Sequence, residues 1–337
     1  MPEPTPKVSV ILPFYNAHGT LSKALQSIAD QDFSDFECVM VDNNSLDGST
    51  QLAEEWERNH PGFRLVKEKR QGVVYASNRG CESARGEYIA RMDADDVARP
   101  SRLRLQSEFL DSHADYGAVA GLAEHVGDPE TTGGFRRFVE WSNSILTYEE
   151  IYKRRFIEAP LVNPTAMWRR ETMDRHGLYR AGDFPEDYEM WLRWLDEGVR
   201  IAKVPEVVLE WHDSMERLTR TDPIYSDRAF YEIKSRYLAK WLERHNPFHP
   251  QVAIWGASRI SRRRALILEK QGIRIAAYID TKRSRQIDKE VLYYKDLPVS
   301  GSMFILTYIR QMDNREKIQV FLEGKGYMEG KDYLLVS

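Results

Sequence analysis

Three aspartates, Asp93, Asp95 and Asp96, stand within four positions of one another, directly after the apolar stretch "YIARM". Carboxylates this close repel one another and raise each other's pKa, so they need a positive charge nearby. Mg²⁺ and Mn²⁺ prefer oxygen ligands of this kind, usually one or two carboxylates together with phosphate oxygens and water. A solvated acidic turn, or an N-cap for a helix starting near Pro100, would use the same residues, and an isolated motif would favour that interpretation.

Two further carboxylates, Glu186 and Asp187, stand at the start of the clearest helical pattern in the chain, "PEDYEMWLRWLDEG". The positive end of a helix dipole favours acids at this point, so capping explains the pair when it is taken alone. The alternative is a general base that removes a proton from a hydroxyl nucleophile. His212 ends a later strand pattern, and its imidazole suits either packing or a carboxylate-bound metal.

The segments that must position these residues alternate between strand and helix patterns. The predicted strands are "VSVILPFY", "FECVMVD", "FRLVKE" and "EYIARMD". Their order, with helical periodicity between them, predicts an α/β fold with a mostly parallel sheet. Open sheets of this kind bind ligands beyond the carboxyl ends of their strands. We therefore expect residues 13–16, 42–44 and 93–96 to converge at one edge, which favours a metal site over a solvated turn.

The composition is that of an ordinary globular protein, with 42% hydrophobic and 30% charged residues among 337. A net charge of −4 gives no reason to expect nucleic-acid binding. The two cysteines, Cys38 and Cys81, provide neither a disulfide framework nor a cysteine metal cluster. We find no secretion signal pattern and no apolar run of bilayer length. These features predict a cytoplasmic protein, and peripheral contact with the inner face of a membrane stays open.

The pattern changes near residue 222, and we expect two domains joined by a connecting segment. The first domain covers 1–221, and an amphipathic helix with a linker covers 222–246. Two prolines in "HNPFHP" interrupt that helical pattern. A smaller Rossmann-like α/β domain then covers 247–337.

The glycine turn of the second domain resembles part of a dinucleotide site. Gly256 follows its first strand, and Asp280 ends its second strand, where a ribose-binding acid is expected. Ser258 and Ser261 stand where such a site usually has glycines. We favour a structural, homo-oligomerising or acceptor-guiding role, and a dinucleotide or anion site served by nearby arginines is the alternative.

Several separated motifs together resemble those of family 2 glycosyltransferases, which have the GT-A fold. The opening block has Pro-x-Tyr-Asn over 13–16 and Val41-Asp42, with Asn43 replacing a second aspartate. The later blocks that match are "SIADQ", "GVVYASNRGCESARGEYIARMDADD", "NPTAMWRRETMDRHGLY" and "FPEDYEMWLRWLDEG". The resemblance covers roughly residues 7–220, and motifs that recur in the family's order are more specific than any single motif.

The resemblance implies a nucleotide pocket, a metal site and a catalytic base. The nucleotide-binding residues would be Pro13, Tyr15, Asn16, Asp42, Asn44, Arg70, Asp93 and Ala94. Asp42 would lie near the base and Asp93 near the ribose. Mn²⁺ or Mg²⁺ would bind Asp95, and the position of Asp93 and His212 at the same edge makes them the further ligands that we expect. Asp187 would be the catalytic base, with Glu186 as its neighbour or alternative. Asn43 leaves the choice of nucleotide open, with uridine favoured.

The predicted function is metal-dependent, inverting sugar transfer from a nucleotide-diphospho-sugar to a hydroxyl of a glycan or lipid-linked acceptor, in polysaccharide assembly. One base and a good leaving group suffice, so inversion is expected. Nucleotidyl transfer fits less well because "PFYNAHGT" lacks a basic phosphate loop. The other alternative is a nucleotide- or dinucleotide-binding oxidoreductase or sensor centred on 247–337. Arg217 and Arg220 would bind an oxyanion or lie in a solvated loop, and we favour the loop.

Overall fold

The computed structural model describes residues 5–128, 133–214, 217–282 and 289–337. The chain divides into two compact units. The first comprises Met1–Ile151, Pro160–Gly182 and Glu186–Asp222, and the second comprises Tyr152–Ala159, Asp183–Pro185 and Pro223–Ser337. The helix predicted as part of a linker over 222–246 therefore belongs to the second unit. We propose that these units are the two domains.

Strands and helices alternate through most of the first unit. Its strands are β1 (Val8–Phe14), β2 (Phe36–Asp42), β3 (Phe63–Lys67), β4 (Tyr88–Arg91), β5 (Val97–Ala98), β6 (Tyr116–Val126), β7 (Met167–Arg169) and β8 (Arg200–His212). Its helices are α1 (His18–Ala29), α2 (Ser49–Asn59), α3 (Val73–Ser83), α4 (Arg102–Ser112), α5 (Gly133–Asn143), α6 (Tyr148–Arg154, which runs on into the second unit), α7 (Arg170–His176), α8 (Glu186–Asp196) and α9 (Leu218–Thr221).

The eight strands that the structure describes in this unit form one mixed sheet in the order β3-β2-β1-β4-β7-β6-β8-β5. Strands β3, β2, β1 and β4 are parallel neighbours, as are β6 and β8. Strands β7 and β5 run antiparallel to their neighbours. The predicted mostly parallel α/β sheet is confirmed. Because β1, β2 and β4 are parallel neighbours, their carboxyl ends meet at one edge of the sheet.

Both faces of the sheet are covered, which explains the unbroken apolar run of β1. Leu12 packs in one hydrophobic cluster with Trp56 of α2. Ile11 packs in a cluster on the other face with Trp191 of α8. Alternate side chains of a strand point to opposite faces, so a strand covered on both sides must be apolar at every position. Each fully buried apolar side chain contributes roughly 1.5–3 kcal/mol, which holds the strand ends in fixed positions.

Gly86 lets the chain enter β4 close beside β1. A Cβ atom at this position would lie 2.6 Å from the Ser9 nitrogen and 2.8 Å from the Val8 carbonyl carbon. The Gly86 N–H also donates to Ser9 Oγ at 2.8 Å. The backbone of β1 cannot yield to a side chain as a flexible side chain would, so only glycine fits here.

Within the described residues, the second unit is a five-stranded parallel sheet with helices. Its strands are β9 (Gln251–Trp255), β10 (Arg274–Asp280), β11 (Val291–Tyr293), β12 (Ile305–Thr307) and β13 (Tyr333–Leu335). Its full helices are α10 (Asp227–His245), α11 (Arg259–Glu269) and α12 (Met312–Gly324). In the order β11-β10-β9-β12-β13, the parallel strands are added first on one side of β9 and then on its other side. This is the predicted Rossmann-like arrangement.

Pro223–Tyr225 form a separate 3₁₀ turn before α10, and the Ser226 side chain caps α10 by accepting from the Ala229 N–H. Helix α12 begins at Met312. None of the helices in the described ranges is long and apolar enough to cross a bilayer.

Candidate functional site

Asp93 is held in place by a buried arginine on the preceding strand. Arg91 Nε and Nη2 donate to Asp93 Oδ1 at 2.9 and 2.7 Å. Arg91 also donates to Ser77 Oγ of α3, and its side chain is only 5% exposed. Two donors on one oxygen leave Asp93 Oδ2 turned toward the rest of the edge. Asp93 is therefore a fixed carboxylate with one oxygen available.

The three carboxylates form a compact aspartate cluster, by which we mean Asp93, Asp95 and Asp96. One oxygen from each lies within 4.8 Å of the others. Asp95 is the most open, with its side chain 38% exposed, whereas Asp96 is fully buried. Burial raises the pKa of Asp96 well above its usual value, and it raises the pKa of Asp95 in the same direction. Both pKa shifts arise because a buried carboxylate is less stable in its negatively charged form than it is in water.

The antiparallel pairing of β5 with β8 brings His212 to the cluster. Val97 lies opposite Glu210, and the His212 N–H donates to Asp96 Oδ1 at 2.9 Å. The His212 Nε2 atom lies 3.4 Å from Lys23 Nζ. Burial, and then the Lys23 ammonium, lower the pKa of His212, so its neutral form is favoured at neutral pH. A neutral imidazole is the form that can bind a metal.

Arg217 lies over all three carboxylates. Its Nη1 atom is 3.7 Å from Asp96 Oδ1 and 3.9 Å from Asp95 Oδ2, and its Nη2 atom is 3.9 Å from Asp93 Oδ2. The side chain is 9% exposed. Its guanidinium stacks on Trp211, 4.1 Å from the ring centroid, and donates to the His212 carbonyl. The prediction that Arg217 belongs to a solvated loop is wrong, because the acidic edge attracts it inward.

Arg220 is also withdrawn from solvent, so the same prediction is wrong for this residue. Arg220 Nη2 donates to Asp213 Oδ2 at 2.7 Å, and Asp213 is fully buried at its side chain. His125 Nε2 lies 3.4 Å from the same Asp213 oxygen. The guanidinium lies 4.6 Å from the centroid of Phe135. These contacts attach the segment after β8 to β6 and α5, because a buried carboxylate requires partners.

Asp187 and Glu186 occupy the first turn of α8, as predicted, and both are withdrawn from solvent. Asp187 is part-buried and Glu186 is 5% exposed. Burial raises the pKa of Asp187 to about 6, and the charge of Asp93 acts in the same direction. The Tyr188 N–H, which donates to Asp187 Oδ1 at 2.6 Å, and Arg91 oppose that shift. A carboxylate of this basicity can accept a proton from a hydroxyl group in its transition state.

The carboxyl ends of β1 and β2 form the rest of this edge of the sheet. Most side chains there make hydrogen bonds within the adjacent loops. Asp42 accepts from the Ser45 N–H at 3.0 Å and from Thr50 Oγ1 at 2.9 Å. Asn16 and Asn44 have left-handed backbone conformations, with φ of 49° and 67°. Asn16 Oδ1 accepts from Leu46 N, and Asn44 Nδ2 donates to the Lys69 carbonyl. Pro13 lies buried within β1, Ala94 is buried between the aspartates, and Tyr15 is 51% exposed.

Asn43 holds the loop that carries Arg70. Its Nδ2 atom donates to the carbonyls of Glu68 and Arg70, at 3.0 and 2.7 Å, and its Oδ1 accepts from the Gly72 N–H at 2.8 Å. Asn43 is 2% exposed. An aspartate could not donate to either carbonyl, so the departure from the family pattern has a local structural reason. Arg70 itself is 67% exposed, paired with Glu68 and stacked on Tyr75.

The residues of the edge fit a divalent cation. Asp96 Oδ2 and His212 Nδ1 are two of the buried polar atoms that have no hydrogen-bond partner among the described residues. The cluster offers hard carboxylate oxygens, with Asp95 open to solvent. Buried acceptors with no donor are costly unless a ligand satisfies them. This donor set, of oxygens with one neutral imidazole, suits Mn²⁺ or Mg²⁺.

Asp280 of the second unit is engaged by its own loops. Its Oδ2 accepts from the Ala257 N–H and its Oδ1 from the Lys282 N–H, each at 3.1 Å. Gly256 has φ of 116°, and a Cβ there would lie 2.9 Å from Ser261 Oγ. The Ser258 hydroxyl caps α11 through Ser261. These contacts account for the glycine turn and for Asp280 as parts of the fold.

Sequence reasoning missed Arg91 and assigned Arg217 to the wrong environment. Arg91 was detectable in principle, because residues two apart on a strand point the same way and Arg91 precedes Asp93 by two. Arg217 was singled out in the sequence, but more than 100 residues separate it from the cluster that it faces. Only the folded sheet shows that relationship.

Comparison with known proteins is consistent across sequence and structure. Residues 9–178 match the model of glycosyl transferase family 2. The chain is 26% identical over 232 residues to the amylovoran biosynthesis glycosyltransferase AmsE of Erwinia amylovora, covering 67% of this chain and 85% of that one. It is 27% identical over 242 residues to an Escherichia coli UDP-Gal:alpha-D-GlcNAc-diphosphoundecaprenol beta-1,3-galactosyltransferase, covering 70% and 84%.

Among solved structures, the S. aureus TarS 1-349 complex with UDP-GlcNAc is similar in fold. The TM-score is 0.57 at 20% sequence identity, and the alignment covers 79% of this chain and 71% of that one. At this level of identity the likeness concerns the fold alone.

Proposed function

The chain belongs to glycosyl transferase family 2 and has the predicted GT-A fold, and we propose that it is a metal-dependent, inverting enzyme that uses a nucleotide-diphospho-sugar, with UDP favoured. Membership of the family makes it a glycosyltransferase. The observation that carries the finer proposal is the edge that holds the aspartate cluster, whose Asp93 carboxylate acts electrostatically on Asp187. It combines a cation site with a carboxylate whose pKa is raised to about 6. Binding a diphosphate and deprotonating a hydroxyl require these two features.

In this proposal the nucleotide lies across the ends of β1 and β2. Tyr15 presents a half-exposed ring that suits stacking on a base. Asp42 and Arg70 lie at the same edge, with Pro13, Asn16 and Asn44 shaping the loops between them. UDP is favoured because a relative carries a UDP-sugar in its name.

Asp95, Asp93 and His212 would hold the cation, and Asp93 and Ala94 would border the ribose. A bound Mn²⁺ or Mg²⁺ would neutralise negative charge on the departing diphosphate. Arg91 fixes Asp93 in either role, because it satisfies one oxygen and leaves the other available.

Asp187 would take the proton of the acceptor hydroxyl, with Glu186 beside it in the first turn of α8. The acceptor oxygen forms its bond to the anomeric carbon as the bond from that carbon to the diphosphate oxygen breaks. The bonding electrons leave with the diphosphate, and the proton ends on Asp187. A single displacement of this kind inverts the anomeric centre. The acceptor would be a glycan or a lipid-linked precursor in polysaccharide assembly, since relatives are named for such steps.

Donor hydrolysis tests this proposal without knowledge of the acceptor, because water then replaces the acceptor hydroxyl. We expect nucleoside diphosphate to be released from at least one UDP-sugar in the presence of Mn²⁺, and Asp187→Asn to abolish the release. Asp174→Asn, an exposed carboxylate on α7, is the control and should leave the rate unchanged. Release that is equal in Asp187→Asn and wild type would contradict the role of Asp187 as the base.

We also propose that the exposed face of α11 contacts anionic membrane lipids. Ile260 and Leu266, at the two edges of this face, are 60% and 54% exposed. Arg259, Arg263 and Lys270 are exposed between these edges. Exposed apolar side chains combined with cations suit the interface of an anionic bilayer. This face supports peripheral membrane contact at a cytoplasmic surface.

Vesicle sedimentation tests the membrane proposal. The protein should sediment with vesicles that contain phosphatidylglycerol and stay in solution with pure phosphatidylcholine. Leu266→Asp with Arg263→Glu should abolish sedimentation, and Val320→Asp, which changes an exposed apolar residue of α12, should not. Sedimentation that is unaffected by the α11 changes would refute this contact.

A further inference from the structure

Arg217 is held mainly by its own segment. Its Nη1 atom donates to the His212 carbonyl, and its guanidinium stacks on Trp211. Its distances to the cluster, 3.7–3.9 Å, exceed the roughly 2.7–2.9 Å of a charge-assisted hydrogen bond. Arg217 therefore supplies positive charge to the cluster without making direct hydrogen bonds to its oxygens.

The same carboxylate oxygens would bind a divalent cation. Mg²⁺ binds oxygens at about 2.0–2.1 Å. A cation at this distance from Asp95 Oδ2 and Asp93 Oδ2 would be a few ångströms from the guanidinium, which approaches both oxygens. Two positive charges so close in a poorly solvated place repel each other strongly.

We propose that Arg217 is a built-in counter-charge that competes with the divalent cation for the aspartate cluster and so sets the metal affinity of the site. This inference rests on the proposed function, since it assumes that the cluster binds a metal. Without Arg217, the three carboxylates would have less positive charge nearby and would bind a cation more tightly. With Arg217, the site binds the free metal weakly, so a ligand that adds its own negative charge favours metal binding.

Titration of Mn²⁺ alone, followed by the electron paramagnetic resonance signal of free Mn²⁺, tests this. Arg217→Gln should bind Mn²⁺ about tenfold more tightly than wild type. Mn²⁺ should also raise the melting temperature of Arg217→Gln more than that of wild type, because tighter binding stabilises the folded state more. Arg217→Lys, which keeps the charge, should stay within about threefold of wild type.

Arg104→Gln is the control, because Arg104 pairs with Asp32 at an exposed site outside the cluster, and its Mn²⁺ affinity should equal that of wild type. If Arg217→Gln does not fold, Arg217→Met keeps the aliphatic stem beside Trp211 and provides the same measurement. If Arg217→Gln binds Mn²⁺ no more tightly than wild type, while Asp95→Asn loses Mn²⁺ binding, the cluster binds the metal but Arg217 does not compete with it. That result would overturn this inference and leave the proposed function standing. No Mn²⁺ binding in any of these proteins would overturn the metal dependence in the proposed function as well.

Discussion

Arg91 and Asp93 form a two-donor pair at the end of one strand, in which two guanidinium nitrogens bind the same carboxylate oxygen at 2.9 and 2.7 Å. The pair lies at the carboxyl end of β4, beside the ends of β1 and β2. The pair fixes the position of the Asp93 carboxylate, and Asp95 and Asp96 lie in the turn that follows Asp93.

Replacement of Arg91 by methionine should weaken donor binding about 10- to 100-fold, since partners that orient a ligand-binding carboxylate typically contribute that much. It should also lower the free energy of unfolding by about 1–3 kcal/mol, because Asp93 loses two hydrogen bonds. Calorimetry with UDP and Mn²⁺, and urea unfolding, measure the two effects. Arg104→Met, which breaks an exposed pair with Asp32, should change stability by less than about 1 kcal/mol. Equal effects of the two substitutions would contradict the special role of Arg91.

The activity should depend on the ionisation of Asp187. Its pKa is raised to about 6, and a general base must be deprotonated to act. The value of kcat/KM should therefore be level above about pH 7 and fall about tenfold for each pH unit below about 6. A pH profile of donor turnover measures this. A profile that stays level down to about pH 4.5 would show that another group is the base.

The same shift predicts that Asp187 reduces stability at neutral pH. A carboxylate whose folded-state pKa lies above its unfolded value makes the folded state less stable once it ionises. Asp187→Asn should thus stabilise the protein by up to about 3 kcal/mol above about pH 6, and the gain should fade between about pH 6 and 4. Thermal unfolding at about pH 7.5 and about pH 4.5 compares the two conditions. A stabilisation by Asp187→Asn that is larger at the acidic pH would contradict a raised pKa of Asp187.

Asn43 should not tolerate replacement by aspartate, although the family pattern has an acid there. The introduced carboxylate would face the carbonyl oxygens of Glu68 and Arg70, which now accept hydrogen bonds from the amide. We expect a loss of about 1–3 kcal/mol in unfolding free energy and weaker nucleotide binding. Asn44→Asp, where the hydrogen bonds are exposed, should cost less. Wild-type stability of Asn43→Asp would show that the loop is held by other contacts.

Local patterns were sufficient to predict much of this molecule. The unbroken apolar run of β1 follows from burial on both faces of its strand, and β1 and α8 both lie where predicted. Converging strand ends followed from parallel pairing, a rule that holds for any such sheet. These features depend on residues that are close in the sequence, so the amino-acid sequence is sufficient to predict them.

Long-range relationships were not predictable in the same way. The position of Arg217 depends on the pairing of β5 with β8, which brings the end of β8 against the cluster. The short antiparallel strands β5 and β7 have two and three residues, too few for a periodic signal. The role of Asn43 likewise depends on carbonyls 25 and 27 residues away.

We expect the aspartate cluster to bind a nucleoside diphosphate through a divalent cation. Calorimetric titration of UDP and GDP into wild type and Asp95→Asn, each with and without Mn²⁺, measures this binding. UDP should bind in the presence of Mn²⁺, and at least about tenfold more weakly without Mn²⁺ or in Asp95→Asn. Equal UDP binding under all of these conditions, or no binding of either nucleotide with Mn²⁺ present, would contradict it.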